Sequence, residues 1–141
     1  MIQMYNFIDF NGNAKEAIDF YTEVFSLEKA QIMFFKDIPT KTDLRPDEEN
    51  RVAHANLKIA GTTLMISDTP RDKPVKIGEN ITLFIQSDHL EEQKVIYEKL
   101  KVKATIIIAL SETFWSKSYA YLIDQFGIGW QLNYESPERK E

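Results

Sequence analysis

The chain has 141 residues, 43% apolar and 28% charged, which suits one globular domain or two small halves burying about two thirds of the unfolded surface, and excludes disorder, collagen-like repeats and low complexity. Without cysteine there is no disulfide framework, thiolate zinc site, iron–sulfur cluster or cysteine nucleophile. A net charge of −5 and a pI near 5.1 argue against nonspecific binding to nucleic acid or anionic membranes, and small molecules or proteins remain as partners. The opening MIQMYNFIDF has no basic region ahead of an apolar stretch, and no run approaches the roughly 20 residues of a membrane span, so a cytoplasmic protein is expected.

Ile2 to Phe10 alternates and is rich in aromatic and β-branched residues, predicting a strand. After a turn at Asn11 to Asn13, a helix is expected over Asn13 to Phe25. Asn13 can cap it, Glu16 sits in its first turn, and Ala17, Ile18, Phe20, Tyr21, Val24 and Phe25 form its apolar stripe. Glu28 to Phe35 reads as a strand, and Asp37 to Arg51, with Pro39, Pro46 and many charges, as a long exposed loop. Arg51 to Ala60 and Thr62 to Ser67 flank Gly61 as a hairpin. Asp68 to Glu79, with Pro70, Pro74 and Gly78, is the one plausible linker. Strand Asn80 to Gln86 and helix Asp88 to Leu100 follow, then strands Lys103 to Leu110, Tyr119 to Asp124 and Ile128 to Tyr134.

The second half repeats the first. Placing Tyr21 on Tyr97 also pairs Glu16 with Glu92, Phe20 with Ile96 and Val24 with Leu100. Placing Gly61 on Gly127 pairs Leu57 with Ile123, Leu64 with Trp130 and Ile66 with Leu132. A duplicated βαβββ unit accounts for this, with modules over residues 1–68 and 79–136 and a linker over 69–78.

Strand alternation sorts the side chains onto two faces. Leu57, Leu64, Ile66, Leu83, Trp130 and Leu132 mark a face built to pack helices. The opposite face mixes His54, Asn56, Met65, Asn80, Thr82, Phe84, Gln131 and Asn133, as a solvated sheet face does, or a cavity that binds a small molecule through hydrogen bonds.

The run Phe10-Asn11-Gly12-Asn13-Ala14-Lys15-Glu16-Ala17 leading to Phe20-Tyr21, then His54-Ala55-Asn56-Leu57 with Leu64-Met65-Ile66-Ser67-Asp68, resembles the PhnB-like proteins. These belong to the vicinal oxygen chelate superfamily, with glyoxalase I, bleomycin resistance proteins and extradiol dioxygenases. Phe114-Trp115-Ser116, Asp124-Gln125-Phe126-Gly127 and Trp130-Gln131-Leu132 look like that family's closing signature. The resemblance spans nearly the whole chain. It implies an α+β fold of two tandem βαβββ modules forming a curved, mostly antiparallel sheet around a cleft, and, as is common among small members, a homodimer. Some relatives carry a 3-demethylubiquinone methyltransferase label, yet no Gly-rich nucleotide turn follows a strand here.

Metal-dependent members of that superfamily place four ligands on the inner faces of the first and last strands of each module. Carried onto this sequence, those positions fall on Asn6 by the helix-leading motif and on Met65 by the hairpin motif. The third is Asn80, or Thr82 by the internal repeat, and the fourth is Gln131. Amides, a thioether and a hydroxyl make a poor divalent site, so no metal and no cofactor are expected, and glyoxalase or dioxygenase chemistry goes with them.

Of the two histidines, His89 falls in the first turn of the second helix, where a solvated role is expected. His54 lies on the polar face and is the candidate acid or base. Asp47-Glu48-Glu49 and Glu91-Glu92 decorate solvated surfaces, and no G-x-S-x-G elbow is present. Phe114, Trp115, Tyr119 and Tyr121 either pack the second module or line a cleft mouth, since Ser111 to Ser118 reads as a polar loop. The expected function is metal-free binding of a small molecule through Asn6, Met65, Asn80, Thr82, Trp115, Gln131 and Asn133. The alternative is a small enzyme of lyase, isomerase or transferase type with His54 as acid or base. Bleomycin-resistance-like members bind a ligand without transforming it, so the resemblance permits the first.

Overall fold

The computed structural model describes residues 1–139. The chain forms two compact units, Met1–Lys76 and Ile77–Glu141. The first runs β1 (Asn6–Phe10), α1 (Ala14–Val24), β2 (Ile32–Phe34), β3 (Val52–Ile59) and β4 (Thr62–Asp68). The second runs β5 (Thr82–Ser87), α2 (Leu90–Leu100), β6 (Thr105–Ser111), β7 (Tyr119–Ile123) and β8 (Gly129–Tyr134). Sheet order is β1-β4-β3-β2 in one unit and β5-β8-β7-β6 in the other. In each unit the first and last strands pair in parallel, and the other pairs are antiparallel. Identical order and direction in both halves is the duplicated βαβββ architecture.

Each unit buries one sheet face under its helix. Ala17, Ile18, Tyr21 and Val24 of α1 are buried along with Ala55, Leu57, Leu64 and Ile66 of β3 and β4. In the second unit Tyr97 and Leu100 of α2 meet the side of the sheet that carries Trp130 and Leu132, with Ala120 and Leu122 also buried. A fully buried Leu or Ile contributes about 1.5–3 kcal/mol, so these faces rather than helix propensity hold the 11-residue helices in place.

Most of the elements are shorter than alternation predicts, though β4 runs one residue further, to Asp68. β1 begins at Asn6 because Ile2 to Tyr5 have no strand partner among the described residues, and Ile2 and Met4 are almost fully exposed. β2 is cut to three residues and gives way to a 3-10 turn at Phe35–Asp37, where Phe35 inserts into the core. Ala60 and Gly61 both have positive φ, as the two-residue turn joining β3 to β4 requires.

Asn13 stands at the start of α1, but its side chain makes no capping bond. The cap comes from Asp68, a residue the sequence placed at the head of a linker. Its Oδ1 accepts the N–H groups of Gly12 and Ala14 at 2.8 and 3.0 Å, and its Oδ2 accepts that of Val52 at 2.8 Å. A buried carboxylate thus ties the helix start to β3, and it lies at the positive end of the helix dipole. Gly12 serves this with φ +103°, in a place where a Cβ would lie 3.1 Å from the Arg51 guanidinium. The segment after Asp68 also docks on this unit. The Thr69 N–H donates to the Phe10 carbonyl, and Asn11 exchanges two hydrogen bonds with the Val75 backbone.

The second unit has its own aspartate clamp. Asp124 Oδ1 accepts from the N–H groups of Phe126 and Ile128, and Oδ2 accepts from the Trp130 indole at 2.8 Å. The residues that carry the family resemblance, around Gly12, Asp68, Asp124 and Trp130, are therefore those that close turns onto buried carboxylates.

Candidate functional site

Paired residues on neighbouring strands point to the same side of a sheet, so the strand register decides which side chains share a face. In the second unit Thr82, Phe84 and Gln86 lie opposite Gly129, Gln131 and Asn133. Gln131 and Asn133 in turn lie opposite Tyr121 and Tyr119, and these opposite Ile108 and Ser111 of β6. This face, turned away from α2, carries hydroxyls, amides and rings but no charged side chain.

Its centre is Gln131. The Tyr119 hydroxyl donates to Gln131 Oε1 at 2.6 Å, and Gln131 Nε2 donates to Thr82 Oγ1 at 2.9 Å. The carboxamide is held at both ends by side chains of strands on either side of its own. Burial pushes the Tyr119 phenol above its ordinary value, with Tyr121 adding to the shift, so it stays a neutral donor. Trp115 meets the Tyr119 ring edge-on with centroids 5.4 Å apart, and Phe114 meets Trp115 at 4.8 Å.

Phe114 is fully exposed and Trp115 half exposed. Of the two readings of the aromatic cluster, packing of the second module holds for Tyr119 and fails for Phe114 and Trp115, which stand on the loop after β6. That loop and Tyr134 to Glu138 border a cavity of about 460 Å3. Asn133 Nδ2 donates to Gln86 at 3.4 Å, while its buried Oδ1 has no hydrogen-bond partner among the described residues.

The corresponding face of the first unit differs in character. Phe7 and Asp9 lie opposite Met65 and Ser67, Met65 opposite Asn56, and His54 opposite Met33. Ser67 donates to Asp9 at 2.7 Å. His54 is exposed, with no side-chain hydrogen bond among the described residues to fix its ring.

The register brings together Thr82 and Gln131, with Asn133 one step along the same strand and Trp115 beside Tyr119. It places Met65 on the open face of the first unit. Asn6 does not belong there: it pairs with Leu64, and so lies on the helix side. The physical reason is loop length. Three residues join β1 to α1 and two join β5 to α2, so aligning the halves through their helices slips the strands by one, and one residue reverses the face. Phe7, next to Asn6, is the residue that takes the open face, pairing with Met65 as Phe84 pairs with Gln131. Asn80 precedes β5 and is exposed, its Oδ1 near Gly78. His89 is the residue before α2, exposed as expected.

The partner of Gln131 missed in the sequence is Tyr119, read there only as part of an aromatic cluster. Its parity, alternating with the buried Ala120 and Leu122, was the available signal. Among the described residues no three His, Asp or Glu side chains gather where they could hold a metal ion. The donor set of the superfamily's metal positions does not fit one either. The carbonyl oxygen of Gln131 already takes the Tyr119 hydroxyl, Met65 offers a soft thioether, and Asn6 faces the helix.

Paired βαβββ units are a fold seen among solved proteins of the glyoxalase/bleomycin resistance type. A glyoxalase/bleomycin resistance protein/dioxygenase family enzyme from Burkholderia phytofirmans has this fold, with a TM-score of 0.60 at 17% identity, over 92% of this chain and 95% of that one. The family model described as 3-demethylubiquinone-9 3-methyltransferase matches residues 3–133, and the chain belongs to that family. It is similar to protein YjdN of Escherichia coli, 29% identical over 90% of this chain and 91% of that protein. Among solved structures, protein PA1353 from Pseudomonas aeruginosa has a TM-score of 0.84 at 25% identity, covering 96% of this chain and 99% of that one. The PhnB protein of Bacillus cereus has a TM-score of 0.73 at 24% identity, covering 95% and 100%.

Proposed function

We propose that the chain is a metal-free binding protein for a small molecule, which it takes on the open face of the second unit around Gln131. The observation that carries this reading is the Gln131 carboxamide, fixed between Tyr119 and Thr82 on an uncharged face with half-exposed Phe84 and Trp115 beside it. A polar group already held in one orientation loses little conformational freedom when a ligand arrives, which is where preorganised sites gain affinity. Thr82, Trp115, Gln131 and Asn133 are the residues assigned to the ligand. Met65 lies on the open face of the other unit, and Asn6 and Asn80 are withdrawn from the set.

The methyl transfer in the family's description is not part of this reading. The strand-turn-helix of the first unit has its helix start filled by the chain's own Asp68 carboxylate, and the turn holds a single glycine. The enzymatic alternative, with His54 as acid or base, has weaker support, because a general base is ordinarily oriented by a second group and His54 has none among the described residues. We further infer a homodimer, since Ile2, Met4, Phe7 and Met33 leave large apolar surface exposed on one chain.

A thermal-shift screen of metabolites and antibiotics tests the reading, because a ligand of the native state raises the melting temperature by mass action. A hit should be recovered chemically unchanged and should lose about 1–3 kcal/mol of affinity in Gln131→Ala. Conversion of the hit, stopped by His54→Ala, would replace binding by catalysis. One equivalent of metal retained after dialysis and lost in Gln131→Ala would remove the metal-free part.

A further inference from the structure

We infer that the ligand of this face is an uncharged, flat aromatic molecule carrying both a hydrogen-bond donor and an acceptor; the inference rests on the binding reading above and specifies its chemistry. Charge is the first observation. The paired rows of the second unit's open face carry no ionised side chain, whereas the open face of the first has Asp9 and Lys58. An ion moved from water onto an uncharged, ring-lined surface loses hydration with no opposite charge to offset it.

Hydrogen-bonding capacity is the second. Within the Tyr119–Gln131–Thr82 chain, each contact uses one donor and one acceptor. What remains is the Thr82 hydroxyl proton and the second Gln131 N–H as donors, and the Tyr119 oxygen as acceptor. Turning the amide over exchanges the roles of the two hydroxyls but leaves a free donor and a free acceptor in either state. A lactam, a carboxamide or a neutral phenol answers both; a hydrocarbon answers neither.

Shape is the third. Phe84 and Tyr121 are the register partners of Gln131 on the two neighbouring strands, so both rings stand on the same face as the amide, on strands spaced about 5 Å from its own. Trp115 adds a half-exposed ring against Tyr119. A planar ring system lying along this row covers the rings while its polar edge reaches Gln131. Glu112, Lys117, Glu135 and Glu138 line the cavity that Trp115 borders, while none of them stands on the paired strand rows around Gln131.

Three probes of one shape and different charge separate the terms: 2-naphthamide, 2-naphthoate and 2-naphthamidine. Binding is followed by the side-chain amide resonance of Gln131 and the indole resonance of Trp115 in the full chain. The neutral probe should bind at least tenfold tighter than either ion, shift both resonances, and lose that preference in Gln131→Leu and in Thr82→Val. If 2-naphthoate or 2-naphthamidine binds as tightly with the same shifts, the ligand class is wrong and the site stands. If no probe moves Gln131 or Trp115, both the class and the site are wrong. If those resonances move with protein concentration alone, a second copy of the chain covers the face, which also overturns the inference.

Discussion

Replacing Asp68 by Ala removes one carboxylate and strands three backbone donors. The acceptor distances of 2.8, 3.0 and 2.8 Å to Gly12, Ala14 and Val52 describe well-formed bonds to a residue only 5% exposed. Net contributions of about 1.5–3 kcal/mol per bond to a charged acceptor set an upper range, and a further few tenths come from the α1 dipole. Gly12 is exposed and recovers a water, so the sum is discounted, and a loss of about 4 kcal/mol is expected for Asp68→Ala. Asp68→Asn keeps the shape but turns an amide N–H toward a backbone N–H, with an expected loss of about 2 kcal/mol. Urea unfolding measures the totals, and native-state hydrogen exchange at Ala14 and Val52 localises them. A loss below about 1 kcal/mol for Asp68→Ala, or unchanged protection at those two amides, would refute the account of how the first unit is clamped.

The matching change in the second unit, Asp124→Asn, should loosen the Trp130 indole and the Phe126 turn, seen as altered Trp130 fluorescence with the first unit's exchange unaffected; an unshifted Trp130 would count against the clamp. Burial raises the Tyr119 value in the folded state, with Tyr121 adding to the shift, so its phenol should ionise later in the folded than in the unfolded chain. The neutral phenol is the form the fold prefers, so its contribution is complete below about pH 10 and is lost as pH rises through the folded value. The difference in phenolate absorbance between wild type and Tyr119→Phe checks this, and a Tyr119 contribution that titrates at its unfolded value refutes it. Sedimentation at tens of micromolar should give a particle of twice the 16.4 kDa chain mass, and a monomer would dismiss the homodimer.

The repeated helix stripes, the Gly61 hairpin and the alternation of Leu64 and Ile66 with Thr63 and Met65 lay open in the sequence, because each depends on local periodicity. So did the second-unit face around Thr82 and Gln131, whose parity is unbroken along β5 and β8. Asn6 was misplaced because which face a strand residue takes depends on pairing with a distant strand, and the helix-leading motif carries no record that one connection is a residue longer than the other. The capping of α1 by Asp68 and the grip of Tyr119 on Gln131 were likewise invisible. Each joins residues that only strand pairing brings within hydrogen-bond reach. Local periodicity carries the strands, the helices and their repetition; which polar groups meet waits on the folded chain, because hydrogen bonds act over about 3 Å and sequence distance does not measure that separation.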